Sequence, residues 1–79
     1  MARYMPTKEE LLEFHILRFD QVMTVLGIPP DSPAYASESI SYRTRLDAAE
    51  EYGTINPRQL YPGARKLYKT SEIRELFDL

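Results

Sequence analysis

QLYPGARKLYKTSEI, residues 59–73, contains the strongest strand signal in the chain. Its Pro62-Gly63 pair separates two short apolar-aromatic runs, an arrangement that is typical of a β-hairpin. The pattern predicts one strand over residues 59–61 and a second over residues 66–69. Thr70 or Ser71 can cap the helix that follows. This closing helix would bury one apolar face, made of Ile73, Leu76 and Phe77.

Upstream of the hairpin, residues 38–52 are the longest helix candidate. Ser37 or Ser39 is a suitable N-cap, and Gly53 is a natural end. The residues that would form one apolar face, at helical spacing, are Tyr42, Leu46 and Ala49. We therefore expect Tyr42 to face the core.

Residues 29–36 contain three prolines and are predicted to form a non-helical loop. Before this loop, Asp20 can cap a short helix over residues 21–26. Gly27 follows as its stop, because glycine adopts the left-handed conformation that ends many helices. The turn between this helix and the next is therefore predicted to be proline-rich.

The N-terminal part of the chain carries a capping box, in which Thr7 and Glu10 stand at the required spacing. A helix is predicted over residues 8–15. Residues 16–18 fit either a short extended segment or the end of that helix. Both interpretations are compatible with the pattern of apolar residues.

Length and composition limit the chain to one small domain. Its 79 residues are 43% hydrophobic and include no cysteine and one histidine. A disulfide framework, a cysteine nucleophile and a cysteine-based zinc site are thereby excluded. We expect a single domain over residues 1–79, with an N-terminal helical extension at 1–16 and a core at 17–77.

The sequence contains no glycine-rich phosphate loop, nucleophile elbow or metal-binding motif. We therefore expect a protein that is not an enzyme, with no catalytic residues, no metal and no cofactor. No apolar run approaches the ~18 residues of a membrane-spanning helix. No apolar stretch before Pro6 could serve as a signal peptide. The expected location is the cytoplasm, without a membrane partner.

Charge is unevenly distributed along the chain. The formal net charge is −2, yet residues 54–70 contain no aspartate or glutamate. The cations of this segment and of the helix before it are Arg43, Arg45, Arg58, Arg65, Lys66 and Lys69. A local basic segment of this kind suits contact with phosphate groups.

The predicted order is short helix, turn, longer helix, basic hairpin and closing helix, which is the plan of a small winged helix-turn-helix. The fold class expected is accordingly mainly α with a small β-hairpin. LRFDQVMTVLGI, residues 17–28, resembles the opening of the excisionase and AlpA-type regulators of the MerR-like group. GARKLYKTSEI, residues 63–73, is similar to their wing and last helix.

This resemblance implies a sequence-specific DNA-binding accessory protein, either excisionase-like (a recombination directionality factor) or a small transcriptional regulator of a phage or mobile element. Double-stranded DNA would be the partner, with a second copy of the chain or an integrase as further partners. In such a protein the second helix enters the major groove, and the wing meets phosphate or the minor groove. The expected DNA-binding residues are Ser39, Ser41, Arg43, Thr44, Arg45, Arg65, Lys66 and Lys69.

A second interpretation stays open: a protein-binding module or inhibitor on the same scaffold, without DNA affinity. The net acidity favours it, as do the six tyrosines, because tyrosine is common at protein interfaces. The exposed side of the second helix discriminates between the two. An acidic side made of Asp47, Glu50 and Glu51 would indicate a protein partner, whereas Arg43 and Arg45 would indicate DNA.

Overall fold

The computed structural model describes residues 6–79 and, within them, four helices and two strands. In chain order these are α1 (Lys8–Leu12), β1 (Ile16–Arg18), α2 (Phe19–Val25), α3 (Tyr35–Glu51), β2 (Leu67–Lys69) and α4 (Thr70–Leu76). The described part is mainly α with a small antiparallel β element. Residues 1–5 of the predicted extension lie outside the described residues. Within residues 6–79, no helix is both long and apolar enough to cross a membrane.

The two strands of the sheet come from distant parts of the sequence. β1 pairs with β2 in antiparallel register, with Leu17 opposite Tyr68. Both of these side chains are buried, whereas their neighbours are exposed in β1 and half-buried in β2. The alternative that residues 16–18 are extended is therefore the one that the structure adopts, and the sheet seals one side of the core.

The predicted strand over residues 59–61 is wrong. Residues 59–61 do not pair with β2. Next to them there is one isolated bridge, in which Arg58 and Leu67 exchange two backbone hydrogen bonds of 2.8 Å. The side chains of Leu60 and Tyr61 do not pack against the core, and they are 85% and 66% exposed. Pairing β2 with β1 instead completely buries Leu17, and removing this apolar side chain from water stabilises the fold.

α1 begins at the predicted capping box. The backbone N–H of Glu10 donates to the Thr7 hydroxyl (3.3 Å), and the Thr7 N–H donates to the Glu10 carboxylate (3.2 Å). The helix ends at Leu12 rather than at His15, because the chain turns at residues 13–15 to enter β1. Leu11 is the residue through which α1 enters the core.

α2 starts two residues earlier than predicted and ends at Val25, one residue before the predicted end. Asp20 lies in its first turn, and the N-cap is Arg18, whose backbone N–H donates to the Gln21 side chain (2.9 Å). At the other end the N–H of Ile28 donates to the carbonyl of Met23 (2.9 Å). This C-terminal motif requires a positive φ, which Gly27 supplies at +90°.

α3 begins at Tyr35, earlier than the predicted start at residue 38. Neither Ser37 nor Ser39 caps it, since their hydroxyls donate to carbonyls one turn back within the chain. The helix begins instead in the turn at residues 32–34, where the N–H of Tyr35 donates to the Ser32 carbonyl (3.0 Å). It ends after Glu51, one residue before the predicted end.

The core is built from one or a few side chains of each element. Its buried members are Leu11, Leu17, Val22, Val25, Leu46, Ala49, Ile55, Tyr68 and Ile73. The buried residues of α3 are Leu46 and Ala49, so its N-terminal half contributes no fully buried side chain. Thr70, a predicted cap, is the first residue of α4 instead, and its N–H donates to the His15 carbonyl (2.9 Å).

Candidate nucleic-acid interface

An open groove of about 760 Å³ separates α3 from residues 59–66, which we call the basic loop. The start of α2 and the end of β1 close the groove on a third side. Six charged residues line it: Arg18, Asp20, Arg43, Asp47, Arg65 and Lys66. The groove thus brings together charged side chains from three segments that are distant in the sequence.

The basic loop is held in one conformation by several hydrogen bonds. The Arg58–Leu67 bridge closes its ends, and the Gln59 side chain donates to the Ala64 carbonyl (2.8 Å). At its tip the Ala64 N–H donates to the Tyr61 carbonyl (3.0 Å) across the Pro62-Gly63 pair. Gly63 has a φ of +90°, as the third position of a type II turn requires. The predicted Pro-Gly turn is therefore present.

Arg43 reaches the groove from α3 and stacks on an aromatic ring. Its guanidinium carbon lies 4.2 Å from the centroid of the Phe19 ring, which is a cation–π contact. Stacking occupies the flat face of the guanidinium and leaves its N–H edges available as donors. Arg43 and Arg65 thus line the same groove, one from α3 and the other from the basic loop.

Lys66 is already engaged within the molecule. Its ammonium donates to the carboxylates of Asp47 (3.2 Å) and Glu50 (2.5 Å) on α3. The hydrogen bond to Glu50 raises the pKa of Lys66 above its ordinary value, with Asp47 acting in the same direction. Lys66 therefore links the basic loop to α3 and offers less charge to a phosphate than the sequence suggests.

Arg45 lies on a different face of α3 from Arg43, because residues two apart on a helix point in nearly opposite directions. Its guanidinium carbon lies 5.3 Å from the centroid of the Phe77 ring and 5.6 Å from that of Tyr42. The two rings form an edge-to-face pair, with centroids 5.8 Å apart. Arg45 is therefore not part of the groove.

Four other predicted contact residues also lie away from the groove lining. The Ser39 hydroxyl donates to the Ala36 carbonyl (3.3 Å), and the Thr44 hydroxyl donates to that of Ile40 (3.0 Å). Ser41 is exposed on α3, and Lys69 is half-buried in β2. Of the eight predicted residues, the groove contains Arg43, Arg65 and Lys66.

Sequence reasoning missed several residues of the groove. Arg18 and Asp20 lie side by side, with the Arg18 Nε 3.5 Å from an Asp20 carboxylate oxygen. Tyr68 also lines the groove, and burial raises the pKa of its hydroxyl. Arg18 follows Leu17 directly, and side chains alternate between the two faces of a strand. If Leu17 is buried in a strand, Arg18 must therefore be exposed, and this could have identified it as a surface residue.

Within residues 6–79, no three histidine, aspartate or glutamate side chains are grouped closely enough to hold a metal ion. Comparison with known proteins found no matching family model, no matching curated protein and no matching solved structure.

Proposed function

We propose that this chain is a small duplex-DNA-binding protein with a winged helix-turn-helix architecture. In this proposal α2 and α3 form the helix-turn-helix, and the basic loop is the wing. The observation that carries it is the meeting of Arg18, Arg43 and Arg65 along one groove between α3 and the basic loop. An arginine guanidinium can contact phosphate oxygens or the O6 and N7 atoms of guanine.

The chemistry of the groove supports binding rather than catalysis. Its arginines are held in place by the Phe19 ring, the Asp20 carboxylate and the closed loop. Ordering these side chains beforehand lowers the entropic cost of binding. Within this proposal, an excisionase-like role in recombination and a role in transcriptional repression both begin with the same binding event.

The test is a fluorescence-anisotropy titration of a mixed-sequence duplex at about 50 and 200 mM salt. If three arginines each neutralise one phosphate, affinity should fall about 40-fold over this interval, because each contact contributes a slope of about −0.9. The double variant R43A/R65A should bind more weakly and lose only about 3.5-fold over the same interval.

Arg74→Ala is the matched control, since Arg74 is an exposed arginine of α4 outside the groove. It should keep the full salt dependence. The proposal fails if the folded wild-type protein does not bind at low salt, or if R43A/R65A and R74A behave alike.

A protein-binding module is the second candidate, and one observation favours it. Asp47 and Glu50 pair with Lys66 of the basic loop, so acidic groups stand beside Arg43 on the same side of α3. This mixed charge is less favourable for DNA than a uniformly basic face. Failure of the folded protein to bind duplex at about 50 mM salt would favour a protein partner.

A further inference from the structure

The tip of the basic loop exposes two large apolar side chains. Leu60 is 85% exposed and Tyr61 is 66% exposed, although most side chains of this kind gain free energy from burial. Neither residue lines the groove between the loop and α3. They therefore project from the molecule and are free to meet a partner.

The loop holds these two side chains outward in a fixed conformation. The Tyr61–Ala64 turn and the Gln59–Ala64 hydrogen bond lie immediately beside them. Closure by the Arg58–Leu67 bridge prevents the tip from folding back onto β2. Little conformational freedom is left to lose when the tip meets a partner.

Two arginines flank the apolar tip. Arg58 precedes it and Arg65 follows it, and the segment from 54 to 70 contains no acidic residue. Among the described residues, no carboxylate lies within ion-pair distance of either guanidinium. The two arginines are suited to a polyanionic partner. The apolar tip between them requires that this partner also offer an apolar space into which the side chains can insert.

Duplex DNA has both properties at its minor groove. Minor-groove proteins insert leucine, proline and similar side chains between base pairs, and arginines beside them meet the phosphates and the narrow groove. The cost is a few kcal/mol for each base step that is unstacked, and it is smallest where stacking is weak.

We infer that Leu60 and Tyr61 form a wedge that enters the minor groove and partly unstacks one base step, with Arg58 and Arg65 contacting the backbone on either side. This inference rests on the proposed DNA binding and adds to it a mode of deformation. The protein should therefore bind preferentially to DNA sites that unstack easily, such as pyrimidine–purine steps in A·T-rich sequence.

The first experiment compares two duplexes that differ only in how easily they unstack. One is an intact A·T-rich duplex, and the other carries a single T·T mismatch at its centre. Wild-type protein should prefer the mismatched duplex by about tenfold, because part of the unstacking cost has already been met. The variant L60A/Y61A should lose this preference while still binding the intact duplex with unchanged salt dependence.

Tyr52→Ala is the matched control, because Tyr52 is 87% exposed at the end of α3, outside the loop. It should keep the tenfold preference. Equal binding of both duplexes by wild type, with DNA affinity intact, overturns the wedge and leaves the proposed function standing. Absence of binding to either duplex overturns both.

A second measurement reports on insertion directly. The chain contains six tyrosines but no tryptophan, so Leu60→Trp introduces a single tryptophan at the tip, whose emission can be excited selectively. Stacking on bases should quench its emission and shield it from acrylamide when the mismatched duplex is added. Tyr52→Trp should show neither change. If DNA leaves the emission of the Leu60→Trp variant unaltered while anisotropy reports binding, the inference is contradicted.

Discussion

Two arginines of α3 rest on two different aromatic platforms. Arg43 stacks on Phe19 beside the groove, and Arg45 stacks on the Tyr42–Phe77 pair on another face of the helix. Tyr42, predicted to face the core, is half-buried and packs on Phe77, but it does not join the buried cluster. Each platform restricts where its guanidinium can point, and only Arg43 is directed to the groove.

Phe19→Leu tests the value of this stacking at the level of one residue. Leucine keeps an apolar side chain at the site but removes the ring, so Arg43 should lose its fixed orientation. We expect duplex affinity to fall about two- to fivefold, the range for one cation–π contact. Anisotropy titrations at one salt concentration would measure it. Phe14→Leu, at an exposed position outside the groove, should leave affinity unchanged.

Among the secondary-structure elements, β1 decides which segment pairs with β2. The sequence assigns that place to residues 59–61, because a Pro-Gly turn joins them to β2. The structure assigns it to residues 16–18, because Leu17 and Tyr68 together close the core. The burial of Leu17, which is distant in the sequence, thus determines the strand pairing, and the local Pro62-Gly63 turn does not.

Leu17→Ala and Leu60→Ala distinguish the two pairings. Leu17→Ala should lower the free energy of unfolding by about 2–5 kcal/mol, the usual loss for a buried leucine. Leu60→Ala should be nearly neutral, because the side chain is exposed. Urea unfolding followed by circular dichroism gives both values. Equal losses at the two positions would contradict the placement of Leu17, and not Leu60, in the core.

The helix caps provide a second test among the elements. Thr7→Ala removes one half of the capping box of α1 and should cost about 0.5–2 kcal/mol. Ser37→Ala should cost much less, because its hydroxyl caps nothing and only donates to the Ala34 carbonyl. Thermal melts of the two variants would be compared. A larger loss for Ser37→Ala would restore it as the cap that the sequence suggested.

The sequence identified some local signals, although not the N-caps of α2, α3 and α4, and it did not identify the long-range contacts. The Thr7–Glu10 box and the Leu26-Gly27 stop depend on residues within one or two turns, so their spacing alone identified them. The partner of β2 lies far away, and a three-residue strand is too short to show a period. The groove was missed in the same way, because Lys66 meets Glu50 only once the chain has folded.

For the molecule as a whole, Lys66 is the charged link between the basic loop and α3. Its two carboxylate partners hold the loop near the helix that it faces across the groove. The arrangement fixes the distance between Arg43 and Arg65, although it neutralises a cation. The ion pairs of Lys66 therefore stabilise the fold but reduce the positive charge that Lys66 can offer to a ligand.

Lys66→Met should lower the free energy of unfolding at pH 7 by about 0.5–1 kcal/mol, as expected for a partly exposed ion pair. A raised lysine pKa stabilises the folded state fully below the unfolded value of 10.5 and ceases to do so as pH rises through the folded value. The difference between wild type and variant should therefore vanish at high pH. Urea titrations at several pH values measure it, with Lys69→Met as the control. A difference that is constant up to high pH would contradict the ion-pair explanation.

The pairing of β1 with β2 also governs how the chain reaches its fold. The two strands lie roughly fifty residues apart, and such distant contacts slow folding because a long loop must close first. During synthesis, β1 is made roughly fifty residues before its partner. Until β2 is made, Leu17 has no strand to pair with, so the sheet can form only after nearly the whole described chain has emerged.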